Sequence, residues 1–563
     1  MTGNWRARFA TVILHPAAVV AAAALYFLLV YYFDTRWRFM PYTFAVTLAL
    51  AGIFFVFSRR AVFSLYAAGT LIMLLTLLSV VKFKLKGLAL HAYDFFFTGT
   101  DLSIVDFLWA HYRFHAVVGG LAIVLAGVLL TGLFRSERPL RVPLVVRLPL
   151  VFVFALAAEV THPIHNPREA DYLPYIAGYN ASALPLSLRN LPDLLGELPI
   201  AARVAHASTA APLADEVDCG PSRVKPDLFM VLSESQTAPG VVPRIPMAAE
   251  LVDTFRSGDG TIKPLHVETI GAGTWMTNFS VLTGLSTADF GWQAAYVTQL
   301  LEKRVKGALP EVLARCGYRT VAVMPLPFSA LNEGAFLTSI GFQEIYDADS
   351  MGFKPMTVRD KSYFAFIDKL VADHRRNDPR PLFVHVQTMF AHQPYDYVLL
   401  PDEQAPSQEY DGMGEVGEYM RRVWLARADL QAFLDRRKAE PGSRGTVVAE
   451  FGDHHATVTR DHLTGGRPAE AMLTDFRSPL YETFYRVEGF GTPIDYHVLH
   501  QAEDAAFLSA RVLAAANMPV SRLWSDLLAL SEACKGWLHT CADRTGVDRH
   551  IKGRIEGGLL AVN

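Results

Sequence analysis

This chain of 563 residues is predicted to hold two folds in series: an N-terminal α-helical membrane domain and a C-terminal α/β sandwich, its sheet mainly parallel with helices on both faces. Three observations predict this. Apolar runs near residues 11–33, 42–57, 61–81, 115–134 and 148–161 approach spanning length and are almost free of charge. After residue 225, short apolar runs at 227–232, 319–324, 382–388, 446–451 and 480–487 alternate with helical patterns at 296–316, 360–375, 416–437 and 502–516. These short runs are largely apolar, the pattern of strands covered on both faces.

The first apolar run is long and is followed by others, which argues against a cleaved signal peptide. The fifth is the shortest, contains Pro149 and carries Glu159, so the count is five or four. Arg6, Arg8, Arg59, Arg60, Arg135, Arg138, Arg141 and Arg147 lie on one side of the spans. Arg36, Arg38, Lys82, Lys84, Lys86 and Arg113 lie on the other, a weak bias toward an inside N-terminus. Five spans then put everything after about residue 163 outside the cytoplasm. The expected division is 1–162 membrane domain, 163–224 linker with juxtamembrane helices, and 225–563 α/β domain. Residues 82–114 combine Lys with Tyr93, Phe95, Phe96, Phe97, Phe107 and Trp109, which suits the membrane surface.

Composition excludes some functions. A net charge of -3 with scattered basic residues gives no nucleic-acid footprint. Four cysteines, Cys219, Cys316, Cys534 and Cys541, all fall in the predicted external part, where an oxidising compartment permits a disulfide between the last two or leaves buried thiols. No CxxC spacing suggests a zinc site.

Polar residues at strand ends carry the chemistry. Glu234 follows the run Asp227 to Ser233, where a carboxylate must be paired, solvated or bound to a cation. Thr274 follows Gly271 and Gly273 at the start of a helical stretch, the position of an anion-facing hydroxyl or of an ordinary helix cap. Asp453 and His454, extended by His455, end the run Thr446 to Gly452, and His392 follows the run Leu382 to Val386. Oxygen and imidazole ligands suit Zn, Mn or Mg, and an ion held there favours a hydroxyl nucleophile in its alkoxide form. In an open parallel sheet such sites gather at the carboxyl ends of the strands.

The blocks Pro226-Asp-Leu-Phe-Met-Val-Leu-Ser-Glu-Ser, Glu268-Thr-Ile-Gly-Ala-Gly-Thr-Trp-Met-Thr-Asn-Phe-Ser-Val-Leu-Thr-Gly-Leu and Phe451-Gly-Asp-His resemble the lipoteichoic acid synthase and periplasmic glucan phosphoglycerol transferase family. That family belongs to the alkaline phosphatase and sulfatase superfamily. The resemblance implies an alkaline phosphatase-like fold and one divalent metal, Mn, Zn or Mg, ligated by Glu234, Thr274, Asp453 and His454. It makes Thr274 the catalytic nucleophile and His392 a substrate contact. It further implies a multi-pass protein of the bacterial inner membrane with a periplasmic catalytic domain. The activity implied is transfer of phosphoglycerol from phosphatidylglycerol, a membrane phospholipid, to a glycan or lipid-linked acceptor. A phosphoethanolamine transferase, a phosphodiesterase and an inactive membrane scaffold are the alternatives. Two departures stand out: Asn278 replaces a usual Glu, and Pro325 to Gly334 lacks an aromatic-Asn-Arg element. Position 274 also lacks the Cys or Ser followed by x-Pro-x-Arg that sulfatases convert to formylglycine, which argues against sulfate ester hydrolysis.

Overall fold

The structure is a computed structural model that describes residues 11–562 apart from 35–36, 98–108, 110–112, 163–172, 208–210, 214–215, 221–222, 243–244, 406–409, 466–469 and 500–501. Arg6, Arg8, Arg36 and Phe107, used above for orientation and the interfacial stretch, lie outside the described residues. The chain forms two compact units, Met1–Leu194 and Leu195–Asn563, so the boundary falls inside the expected linker.

The first unit holds five helices long and apolar enough to cross a membrane: α1 (Pro16–Asp34), α2 (Met40–Ser58), α3 (Ala61–Lys86), α4 (Arg113–Ser136) and α5 (Leu144–Thr161). The fifth span forms despite Pro149 in its interior. Gly52 of α2 lets α5 approach closely, since a methyl group there would sit 3.1 Å from Val151 Cγ2. Small residues at such crossings are how helices associate where no hydrophobic driving force separates lipid from side chain. The stretch after α3 departs from the interfacial expectation. Leu88 to Tyr93 are buried, and Lys82 Nζ reaches Asp94 at 2.7 Å and the Ala89 carbonyl at 2.8 Å. Phe95, Phe96 and Trp109 remain exposed, as a membrane surface would require. A lysine emerging from a span is best satisfied by a carboxylate within reach, and that pairing turns the segment inward.

The second unit is built on an eight-stranded sheet. Its strands are β1 (Asp227–Ser233), β2 (Lys263–His266), β3 (Arg319–Val323), β4 (Glu344–Tyr346), β5 (Leu382–Gln387), β6 (Thr446–Gly452), β7 (Glu482–Phe490) and β8 (Glu503–Asp504). The order is β4-β3-β5-β1-β6-β7-β2-β8, with β4 through β6 mutually parallel. β7 runs antiparallel to both β6 and β2, so β2 points the same way as β1 and β6.

Every residue of β1, β5 and β6 is buried, which explains their mainly apolar runs. Adjacent residues of β1 show the two covered faces. Phe229 meets Phe433 of a helix at Glu415–Ala439, ring centroids 5.6 Å apart, while Ser509 of a helix at Ala505–Ala515 contacts Met230 from the other side. Two disulfides, Cys219–Cys316 and Cys534–Cys541, brace this unit, the first spanning 97 residues and the second 7. A short pair, Val217–Asp218 with Val520–Ser521, lies beside the first bridge.

On loop-closure entropy the long bridge stabilises far more than the short one. Replacing Cys219 and Cys316 together by Ala is expected to lower unfolding free energy by about 4 kcal/mol. Denaturant unfolding of the variant against the parent checks this.

Candidate active site

Three neighbouring parallel strands, β5, β1 and β6, release the chain at one rim of the sheet. Glu234 directly follows β1 and Asp453 directly follows β6. Backbone hydrogen bonds leave no choice about where these carboxylates go. Ser235 N donates to Asp453 Oδ1 at 2.7 Å, Ser235 Oγ to Glu234 Oε1 at 2.7 Å, and Thr388 Oγ1 accepts from Glu234 N at 3.1 Å. Ser235 holds a left-handed backbone, φ 56°, an arrangement that non-glycine residues keep where the surroundings fix it.

Glu234, Asp453 and His454 come together with ligand atoms within 4.8 Å of one another. All three are buried. Burial first, and the adjacent Asp453 charge second, push the Glu234 carboxyl well above the usual range. Asp453 Oδ2 is buried 3.2 Å from His454 Nε2 yet accepts no hydrogen bond. His454 Nδ1 lies 3.0 Å from the His455 carbonyl, which assigns its proton to Nδ1 and leaves the Nε2 lone pair facing the carboxylates. Two carboxylates, one orphaned acceptor and an oriented imidazole fit a divalent cation, which alone would satisfy all of them.

Thr274 opens a helix, α6 (Thr274–Thr283). It is not the capping residue: Gly273 takes that place at φ 95°, where a Cβ would lie 2.6 Å from Thr269 Oγ1. The Thr274 hydroxyl is thereby free of the cap and donates to Glu234 Oε2 at 3.1 Å, with His454 Nε2 at 3.4 Å. Thr277, one turn on, donates to the Asp453 carbonyl at 2.8 Å and ties α6 to the loop after β6.

His392 sits in a loop held by Arg422, which donates to the carbonyls of His392 at 2.7 Å and Pro394 at 2.9 Å. Gln393 accepts from Thr457 at 2.7 Å, joining this loop to the one that carries His454. Burial lowers the His392 pKa to about 4, against the opposing hydrogen bond to the Gln393 backbone, so its ring is neutral at ordinary pH. Its Nδ1 engages the Gln393 carbonyl at 2.6 Å. His455 turns away, with Nδ1 near the Ala456 carbonyl and Thr459 Oγ1.

The loop between β2 and α6 is anchored from a distance. Glu268 accepts from Ser280 Oγ, Thr287 N and Thr287 Oγ1, and pairs with His539 Nε2 at 2.9 Å. His539 lies inside the Cys534–Cys541 loop, next to Trp537, which stacks on His266 with centroids 3.9 Å apart. Sequence reading passed over Glu268, Ser235, Thr277, Thr388 and His539. Glu268, Ser235 and Thr277 were within the quoted motifs, whereas His539 leaves no local signal.

Residues 230–481 match the sulfatase family model. An uncharacterized protein of Haemophilus influenzae is 24% identical over 250 residues, 41% of this chain and 44% of that protein. A Rhizobium meliloti protein, provisionally named a cyclic beta-1,2-glucan modification protein, is 23% identical over 348 residues, 58% of this chain and 48% of that protein. The alignments thus span about half the length of these curated relatives. Among solved structures, the Streptococcus pyogenes phosphoglycerol transferase GacH aligns at 16% identity and TM-score 0.47 over 63% of this chain and 89% of its own. The Neisseria meningitidis lipooligosaccharide phosphoethanolamine transferase EptA aligns at 12% identity and TM-score 0.49 over 88% of this chain and 95% of its own.

Two outcomes are expected. Adding Mn or Zn to metal-stripped protein raises its unfolding free energy by about 2.7 kcal/mol at a hundredfold excess over the dissociation constant. Asp453→Asn abolishes most of that gain, as calorimetry with and without metal would record. The second concerns the anchor. Burial opposes charge on both partners, but their hydrogen bond and mutual attraction win, raising His539 above 6.5 and lowering Glu268 below 4.5. The His539 contribution is full below pH 6.5 and lost as pH rises through its raised value; that of Glu268 is full above pH 4.5 and lost as pH falls through its lowered value. Thermal unfolding of His539→Gln against the parent should therefore show a gap on the order of 1–2 kcal/mol between those limits that closes toward alkaline pH.

Proposed function

From a sulfatase-family domain at residues 230–481 carried after five membrane-length helices, we propose a membrane-anchored, metal-dependent transferase. It moves a phosphoglycerol group from phosphatidylglycerol to an acceptor hydroxyl on a glycan or lipid-linked glycan. The observation that carries this reading is the Thr274 hydroxyl, uncapped at the head of α6 and 3.1 Å from a carboxylate of the buried cluster.

Glu234, Asp453 and His454, with Thr274, would hold the ion. When bound, the ion neutralises charge on the phosphoryl oxygens and lowers the pKa of the threonine hydroxyl. Thr274 Oγ1 gives up its proton and attacks phosphorus in line with the bond to diacylglycerol. That bond breaks, and diacylglycerol leaves with a proton on its oxygen, replacing the one Thr274 lost. The acceptor hydroxyl then attacks the same phosphorus, the bond to Thr274 breaks, and the acceptor's proton is made good on the released Thr274 Oγ1. Splitting one displacement into two keeps the lipid and the glycan from having to be bound together. His392, neutral and held by Arg422 through its loop, is suited to bind a phosphoryl oxygen or pass the proton at the leaving and attacking oxygens. Burial of the cluster removes competing water and strengthens every charge interaction in it.

An anchored domain outside the cytoplasm meets its donor by diffusion in the adjoining leaflet, which supplies proximity without a separate lipid-capture step. Two disulfides in the second unit support an oxidising compartment, the periplasmic side of a bacterial inner membrane.

Thr274→Ala is expected to lower diacylglycerol release by roughly 10³-fold or more. Peptide mass spectrometry of the parent enzyme stalled without acceptor should find Thr274 carrying phosphoglycerol, and the adduct mass separates this from phosphoethanolamine. Unchanged turnover by Thr274→Ala would rule out the covalent route.

A further inference from the structure

Beside Thr274 stand two hydrogen-bond acceptors that no group among the described residues satisfies. Asn278 lies one helical turn beyond Thr274 on α6, so the two side chains share a face. Its Nδ2 donates to Glu333 Oε1 at 3.0 Å, and Gln387 Nε2, from the last residue of β5, donates to the same oxygen at 2.8 Å. Gln387 is in register with Leu232, two residues before Glu234. The trio therefore bridges the nucleophile's helix and the rim that carries the acidic cluster. Each member is at most 4% exposed. Asn278 Oδ1 is buried without a partner, and among the described residues Glu333 Oε2 accepts nothing, since both donors serve Oε1. The unmatched Asn278 Oδ1 is costly in so dry a place until a donor arrives, and Glu333 Oε2 stays open to receive one.

The backbone that delivers Glu333 is strained. Leu331 and Asn332 are both left-handed, at φ 55° and 58°. They are held there by Thr298 Oγ1 and Gln299 Nε2, which donate to the Leu331 carbonyl at 2.7 and 3.1 Å. Asn332 Nδ2 in turn donates to the Thr298 carbonyl and Glu302 Oε2, each at 3.0 Å. Two such residues in succession cost on the order of 1–3 kcal/mol each, and strain so heavily braced gathers at working sites.

We propose that Glu333, seated by Asn278 and Gln387, is a specificity-determining residue that binds the head group attached to the reacting phosphorus. The group it takes carries hydrogen-bond donors, either the hydroxyls of a polyol or the ammonium of an amino alcohol. A quaternary ammonium offers no donor and is refused. This rests on the reading of Thr274 as nucleophile and extends it to substrate choice.

The test uses full-length, metal-loaded protein in detergent micelles. Diacylglycerol release is followed from phosphatidylglycerol, phosphatidylethanolamine and phosphatidylcholine, alongside cleavage of bis(4-nitrophenyl) phosphate, a diester with no donor-bearing head group. The wild type should cleave one of the first two lipids at least about tenfold faster than phosphatidylcholine. Glu333→Ala should lower kcat/KM for the preferred lipid about tenfold or more while leaving the synthetic diester within about twofold. Glu333→Gln still accepts hydrogen bonds from Asn278, Gln387 and a hydroxyl but lacks the charge. It should retain a glycerol lipid and lose an ethanolamine lipid, which separates the two sources. Equal losses on lipid and synthetic diester, no loss on either, or phosphatidylcholine cleaved as fast as the others overturns the assignment of Glu333 and leaves Thr274 untouched. Absence of any Thr274-dependent turnover overturns the reading of the site and this assignment together.

Discussion

Two carboxylates held against each other inside a protein set the terms for everything around them. Glu234 and Asp453, with His454 beside them, place their ligand atoms within 4.8 Å in a region closed to solvent. Without a cation their repulsion and desolvation would open the site or protonate one of them, and the upward displacement of the Glu234 pKa expresses that cost. A frame that keeps them together must be stiff. β1 and β6 supply it as adjacent parallel strands, buried on both faces, ending one residue before each carboxylate.

Thr274 reaches this cluster by a separate route, along β2 and a loop that crosses to α6. That loop is pinned at Glu268, whose partner His539, in the small disulfide loop, lies 271 residues further along the chain. His392 arrives by a third route, on a loop clasped by Arg422. Loops are ordinarily the mobile part of a fold, and here each is tied by a buried charged group, the kind of bond that is costly to break once made. Approach of Thr274 to the cluster therefore needs no large rearrangement of the loops. The Asn278, Glu333 and Gln387 group uses the same construction beside the acidic cluster, with Glu333 held by two buried side-chain amides.

Legibility in the sequence followed element length and burial. β1, β3, β5, β6 and β7 were visible as apolar runs because both faces of their sheet are covered. β2, β4 and β8 were not, since Lys263–His266, Glu344–Tyr346 and Glu503–Asp504 are too short to show a period. The helical pattern expected over 296–316 breaks into Val297–Leu300 and Leu309–Arg315, separated by a turn at Gly307 with φ 70° and restarted at Pro310. The membrane helices stood out fully, because lipid demands unbroken apolar length. The inward turn of Leu88 to Asp94 did not, because the Lys82 and Asp94 partnership that causes it is a matter of three-dimensional reach.

The sequence alone determined the two fold types, the first four spans and the identities of Glu234, Thr274, Asp453, His454 and His392 as candidates, because each of these sits in a local pattern of apolar runs and turn residues. Only the tertiary structure decided which side chains meet. The Cys219–Cys316 bridge, the His539 anchor and the donors around Glu333 join residues 97, 271 and more than 50 positions apart. Such pairings depend on strand order and register across the sheet, and neither leaves a trace in the neighbourhood of any one residue. A hydrogen bond is specified by distance and direction in space, while a sequence motif records only what lies next along the chain.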